Sequence, residues 1–145
     1  MKKAFYSIPF KAESMTKPTY ARVDLETSVR QHIKMMLMTI PNQVKFEPAY
    51  GGVLNKQHFR LPDKRKGDKK LEEELKDMVL KNIQYLIAAY EPRLKIKNVG
   101  VTVLLPKPDK PNPKIKSGRI ALEINIDGLL LDHEDFRYTD LIPML

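Results

Sequence analysis

The segment from about Lys70 to Tyr90 constrains the fold more than any other. Its apolar residues Leu71, Leu75, Met78, Val79, Ile83, Leu86, Ile87 and Tyr90 recur at helical spacing. Glu72, Glu73, Glu74 and Asp77 crowd the first two turns, where a helix dipole favours negative charge. Glu72 with Lys76, and Asp77 with Lys81, are favourable i,i+4 pairs. At ~1.5 Å per residue such a helix is about 30 Å long, enough to span a small domain. Pro92 forces an extended exit. Leu94 and Ile96, then Val99, Val101, Val103 and Leu105, alternate as a strand does, with a change of phase near Asn98. A bulge or turn is expected there.

Other elements arrange themselves around this helix–strand unit. Leu25, Val29, Ile33 and Leu37, with Met36 and Ile40 on the same side, predict a helix from Ser28 to about Thr39. Ser28 followed by Gln31 has the form of a capping box, and Asp24 is a rival N-cap. Pro41 ends the helix. Met35, Met36 and Met38 are expected in the core, an adaptable binding surface being the alternative. Residues 41–67, punctuated by Pro48, Gly51, Gly52, Pro62 and Gly67, read as irregular. Tyr50-Gly51-Gly52 permits positive backbone angles beside an aromatic anchor, but its glycine spacing is not that of a phosphate loop. Residues 106–117 hold four prolines among lysines and form an exposed loop. Arg119 to Asp127 is a strand with Ile120, Leu122, Ile124 and Ile126 on one face. The two strands predict a long hairpin, to which Phe5–Phe10 adds an edge strand.

The expected fold is α+β: one small domain with two main helices on a mostly antiparallel sheet and a long C-terminal hairpin. Residues 1–19 read as an N-terminal extension, 20–127 as the domain, and 128–145 as an acidic and apolar docking tail, with a local satellite cluster as the alternative for the tail. A length of 145 residues fits one such domain. The chain contains no cysteine, which excludes disulfide scaffolds, thiol catalysis and Cys-based zinc sites. No apolar run approaches the ~18 residues of a membrane span. The stretch after Met1-Lys2-Lys3 is broken by Pro9 and Lys11, a poor signal peptide, so the expected location is cytoplasmic, without membrane insertion.

The net charge of +8 raises nucleic acid as a partner. Its layout argues otherwise. Residues 60–70 and 104–119 each carry +4, while residues 1–59 are +5 and residues 120–145 are −5. Neither basic segment contains an aromatic residue on which bases would stack. Opposed ends with two basic loops suit a part docked among protein neighbours, with Lys107, Lys110 and Lys114 as partner contacts.

The chain offers no catalytic constellation. His32, His58 and His133 lack metal-ligand spacing, and no serine sits in a nucleophile elbow. Glu47 and Glu91 are the carboxylates a glycoside hydrolase would need, with nothing in the sequence to pair them. No cofactor, metal or small-molecule substrate is expected. Glu91-Pro92-Arg93 does break an ordinary rule, because a glutamate at a helix C-terminus opposes the dipole. Two readings stand: a mutual surface ion pair worth under about 1 kcal/mol, or two charges each reaching a partner across an interface.

Tyr90-Glu91-Pro92-Arg93-Leu94 resembles the Glu-Pro-Arg signature of the contractile-tail baseplate wedge family, which includes the TssE-like subunit of type VI secretion systems and its phage counterpart. Val29-Arg30-Gln31-His32-Ile33 through Thr39-Ile40-Pro41 resembles that family's first helix, and Pro48-Ala49-Tyr50-Gly51 its Pro-x-aromatic-Gly element. The likeness covers roughly residues 20–127. After Pro41 the family usually has Gly-Glu-Arg, where this chain has Asn42-Gln43-Val44. The resemblance implies a non-enzymatic subunit that clamps the wedge core bundle and nucleates sheath assembly. Its implied partners are other wedge proteins and sheath subunits. The implied partner-binding residues are Glu91, Pro92 and Arg93, with Tyr50 and Gly51. A cell-wall hydrolase and a basic nucleic-acid-binding module are the competing functions.

Overall fold

The computed structural model describes residues 5–6, 22–52, 69–104 and 121–143. Residues 105–120, with Lys107, Lys110 and Lys114 and the expected Pro/Lys loop, lie outside them, as do residues 53–68. Helix α1 spans Leu25–Met38 and α2 spans Lys69–Tyr90. Strands β1 (Phe5–Tyr6) and β2 (Arg22–Val23) form a two-stranded antiparallel ribbon. Strands β3 (Leu94–Leu104), β4 (Ala121–Leu130) and β5 (Asp135–Pro143) form an antiparallel sheet in that order, leaving β3 and β5 at its edges. The α+β expectation therefore holds. The N-terminal strand pairs with β2 rather than extending the main sheet.

Helix α1 begins three residues before Ser28. Asp24 is the N-cap, its carboxylate accepting from the Thr27 N–H at 2.8 Å. At the other end Pro41 follows closely, and Thr39 turns extended while its N–H and hydroxyl both donate to the Met35 carbonyl. Val29, Ile33, Met36 and Leu37 are buried. Of the methionines expected in the core only Met36 is there: Met35 and Met38 are exposed, as is Met78 on α2. Helix α2 buries Leu75, Val79, Ile83, Leu86 and Ile87, and Lys76 reaches Glu72 at 3.1 Å.

The change of phase near Asn98 is a β-bulge. Ile96 pairs with Gly128 and Asn98 with Asp127, so Lys97 has no opposite number. The extra residue keeps Leu94 and Ile96 on the same face as Val99, Val101 and Val103. Gly128 belongs there for steric reasons, since a Cβ would lie 2.5 Å from the Lys95 carbonyl oxygen.

The C-terminal segment is not a docking tail. β4 continues three residues past the expected boundary, and β5 pairs with it from Leu129↔Asp135 to Ala121↔Pro143. Nor is it a satellite cluster. Phe136 and Tyr138 are buried in the same core as α1, α2 and Leu122, Ile124 and Ile126 of the central strand. Phe136 is 2% exposed, and Arg30 of α1 lies 5.0 Å above its ring. Removing a buried aromatic of this kind costs about 3–5 kcal/mol. Phe136→Ala should lower the denaturant midpoint accordingly, whereas a tail docked on nothing would leave it unchanged.

Candidate partner-binding site

Helix α2 ends by handing its last carbonyls to the junction: the Glu91 N–H donates to Ile87 O at 2.9 Å, and the Leu94 N–H closes the turn onto Glu91 O at 3.3 Å. Pro92 at the apex of this turn is exposed. Glu91 points inward and is only 1% exposed. Its Oε1 accepts from Arg93 Nε at 2.7 Å and from the Arg93 backbone N–H at 3.3 Å. Its Oε2 accepts from Arg93 Nη2 at 2.7 Å and lies 2.7 Å from His32 Nδ1. The Glu91–Arg93 contact is thus a two-point guanidinium–carboxylate pair. Arg93 Nη1 donates to Ser28 Oγ at 2.9 Å, and the Arg93 guanidinium sits 5.2 Å from the centre of the Phe5 ring.

This geometry corrects the surface placement of the Glu91–Arg93 pair and the outward reach expected of Glu91. The pair is not on the surface, because its carboxylate is buried. Nor does the Glu91 side chain reach outward: both of its oxygens are engaged within the fold. Arg93, with 23% of its side chain exposed, presents one edge. Ser28 and His32, one turn apart on α1, are members of the cluster that sequence reasoning missed. Their i,i+4 spacing on a face beside the apolar stripe was the available signal.

Burial alone would raise the Glu91 pKa. Hydrogen bonds from Arg93 and His32, with their charge, outweigh it and hold the carboxyl down to about 2, from an ordinary 4.5. Glu91 is therefore ionised at neutral pH and unsuited to the proton-donor role of a glycosidase. Glu47 is tied up differently, accepting from the Tyr90 hydroxyl at 3.0 Å on the surface.

Tyr50 and Gly51 support the same cluster from the other side. The Tyr50 ring stacks on His32 (centroids 6.1 Å, 18° between planes) and meets Tyr90 edge-on at 5.0 Å. Its hydroxyl is buried, with no hydrogen-bond partner among the described residues. Burial, then the Glu91 charge, raises its pKa. Gly51 has φ +135°, and a Cβ there would lie 2.6 Å from the Thr39 carbonyl oxygen, so glycine is required. Five of the expected site residues (Glu91, Pro92, Arg93, Tyr50, Gly51) are thus brought together around the end of α2 and one face of α1. Among the described residues no group of three or more His, Asp or Glu is placed to hold a metal, and no helix is long and apolar enough to cross a membrane.

Because the Glu91 pKa is lower in the folded protein, its contribution to stability is full above pH 4.5 and is lost as pH falls through about 2. The displacement corresponds to on the order of 3 kcal/mol. The stability difference between wild type and Glu91→Gln, followed by urea unfolding, should shrink across that interval. A difference independent of pH would contradict the assignment.

No curated protein matches the chain. A solved Geobacter sulfurreducens structure, provisionally labelled a tail lysozyme, superposes with a TM-score of 0.58 at 14% identity, covering 88% of this chain and 97% of that one. At that identity the likeness speaks for the fold. The family model for baseplate wedge protein gp25 matches residues 23–134, most of the chain, from β2 to the turn before β5. The chain therefore belongs to the gp25 family of baseplate wedge proteins, components of contractile-tail baseplates.

Proposed function

We propose that this chain is a non-enzymatic wedge subunit of a contractile injection machine of the type VI secretion kind, working in the cytoplasm, which clamps the wedge core bundle and nucleates the sheath. The observation that carries the reading is the buried Glu91–Arg93–His32 cluster. It fixes an exposed proline and one edge of an arginine on a rigid helix–strand corner. In this reading Pro92 and the exposed edge of Arg93 touch the core bundle. Glu91, Tyr50 and Gly51 hold them in place. Rigid presentation limits the ordering entropy of binding and so favours a lasting assembly contact. Edge strands β3 and β5 supply the unpaired backbone groups that an incoming sheath strand would use. Lys107, Lys110 and Lys114 are proposed as further contacts to protein neighbours.

The hydrolase reading draws on the label of the Geobacter protein and on Glu47 and Glu91 as the needed carboxylates. An ionised, fully hydrogen-bonded Glu91 speaks against it here. The purified chain should release no soluble fragments from peptidoglycan, and turnover abolished by Glu47→Gln would reverse that view.

Arg93→Ala removes the partner of a buried carboxylate, a loss of about 3–5 kcal/mol. It should lower the melting temperature and abolish fluorescent sheath foci in cells. Pro92→Ser changes an exposed residue; it should leave the melting temperature within a few degrees and still reduce foci severalfold. Normal foci in both variants, with the protein present at wild-type levels, would overturn the clamping role.

A further inference from the structure

The turn between β4 and β5 lies at the same end of the sheet as the Pro92 corner and is bonded to it. The Leu131 N–H donates to the Arg93 carbonyl at 3.1 Å, one residue past Pro92. The turn is also closed on itself. The Leu130 N–H donates to Glu134 O at 3.0 Å and the His133 N–H to Leu130 O at 2.9 Å, while the Glu134 N–H reaches the Asp132 carboxylate at 3.3 Å. His133 takes a positive φ of 65° to make the bend. Polar residues and glycine suit the tip of such a turn. Leu131 stands there instead, 66% exposed. It is an apolar side chain on a fixed backbone, tied by one hydrogen bond to the residue beside an exposed proline.

Pro92 and Leu131 come from separate segments of the chain but belong to one surface, because the Arg93–Leu131 bond fixes one segment against the other. A partner that covers the corner therefore meets the turn without further ordering of this chain. Charge narrows its chemistry. Asp132 and Glu134 are exposed beside Leu131, and residues 131–134 contain no Lys or Arg. Of the cations on the adjoining strands, Arg93 is engaged by Glu91, Lys97 by Asp135 and Arg137 by Asp127. Lys95 remains, opposite Leu129 and inside the sheet from the tip. One lysine thus stands against two acids, a balance that repels anionic lipid and nucleic acid and suits a basic protein segment. We propose that Leu131 and Asp132 are further partner-binding residues of the Pro92–Arg93 site: Leu131 packs on an apolar residue flanked by Lys or Arg, on the same wedge-core protein that Pro92 touches. The identity of that partner rests on the function proposed above.

The test places the photo-crosslinking residue benzoylphenylalanine at position 131 and, in a second full-length chain, at position 92. Both are expressed in cells that assemble particles, and the linked peptides are identified by mass spectrometry. The expected adducts fall on one baseplate protein at neighbouring residues, with Lys or Arg beside the residue linked from 131. Leu131→Ser and Asp132→Lys should each lower occupancy in purified particles by about tenfold while melting within about 2 °C of wild type, as exposed positions do. Replacing the linked partner cation by glutamate should rescue Asp132→Lys. An adduct from 131 with a second copy of this chain, or with another segment of the same copy, overturns the proposal. So does the absence of any adduct from 131, or wild-type occupancy in both variants. If position 92 links a baseplate protein and the Leu131 and Asp132 variants assemble normally, the turn proposal fails and the baseplate reading stands. If the wild-type chain is absent from particles, both fail together.

Discussion

The Glu91 carboxylate is the constraint on which the rest of the structure depends. A charge at 1% exposure is tolerable only if every lone pair facing it is answered. The donors come from two places: His32 on α1, and Arg93 at the entrance to β3, which gives both its backbone N–H and its side chain and is held in turn by Ser28 of α1. Satisfying one carboxylate therefore fixes how the first helix, the end of the second helix and the first long strand meet. The Arg93 carbonyl extends this across the same end of the sheet, accepting from the Leu131 N–H in the turn between β4 and β5 at 3.1 Å.

Around that point the apolar packing follows. Central strand β4 is paired on both sides, and its Leu122, Ile124 and Ile126 have no exposure at all. The bulge opposite Asp127 and Gly128 lets an eleven-residue strand keep one apolar face while still starting from the fixed corner at Leu94. The aromatic set of His32, Tyr50 and Tyr90 covers the corner. It does so only because Gly51 can approach the end of α1 more closely than any residue with a side chain. Substitution anywhere along this chain of contacts is transmitted to the proline and arginine that the corner displays.

Much of this was legible in the residues themselves. The long helix, its stop at Pro92, the alternation of β3 and β4 and even the bulge follow from local periodicity, because each depends on neighbours within a few positions. Residues 128–145 were misread because β5 alternates Phe136, Tyr138 and Ile142 with Asp135, Arg137, Thr139 and Leu141. That pattern fits an edge strand and an amphipathic tail equally well. The methionines were misjudged because residue type was weighed above helical phase: Met36 shares the side of Ile33 and Leu37 and is buried, while Met35 and Met38 lie away from it and are exposed.

The candidate site divides along the same line. The sequence by itself determined that a glutamate and an arginine stand two residues apart across a proline at a helix end. It also determined that a glycine follows an aromatic after the first helix. Only the tertiary structure decided that the carboxylate turns inward, that His32 and Ser28 are its companions, and that Tyr50 closes over it. Those partners lie 59 and 65 residues away from the junction in the chain. No local preference encodes such a meeting; it follows from packing two helices against one face of a sheet and from the need to neutralise a charge enclosed between them.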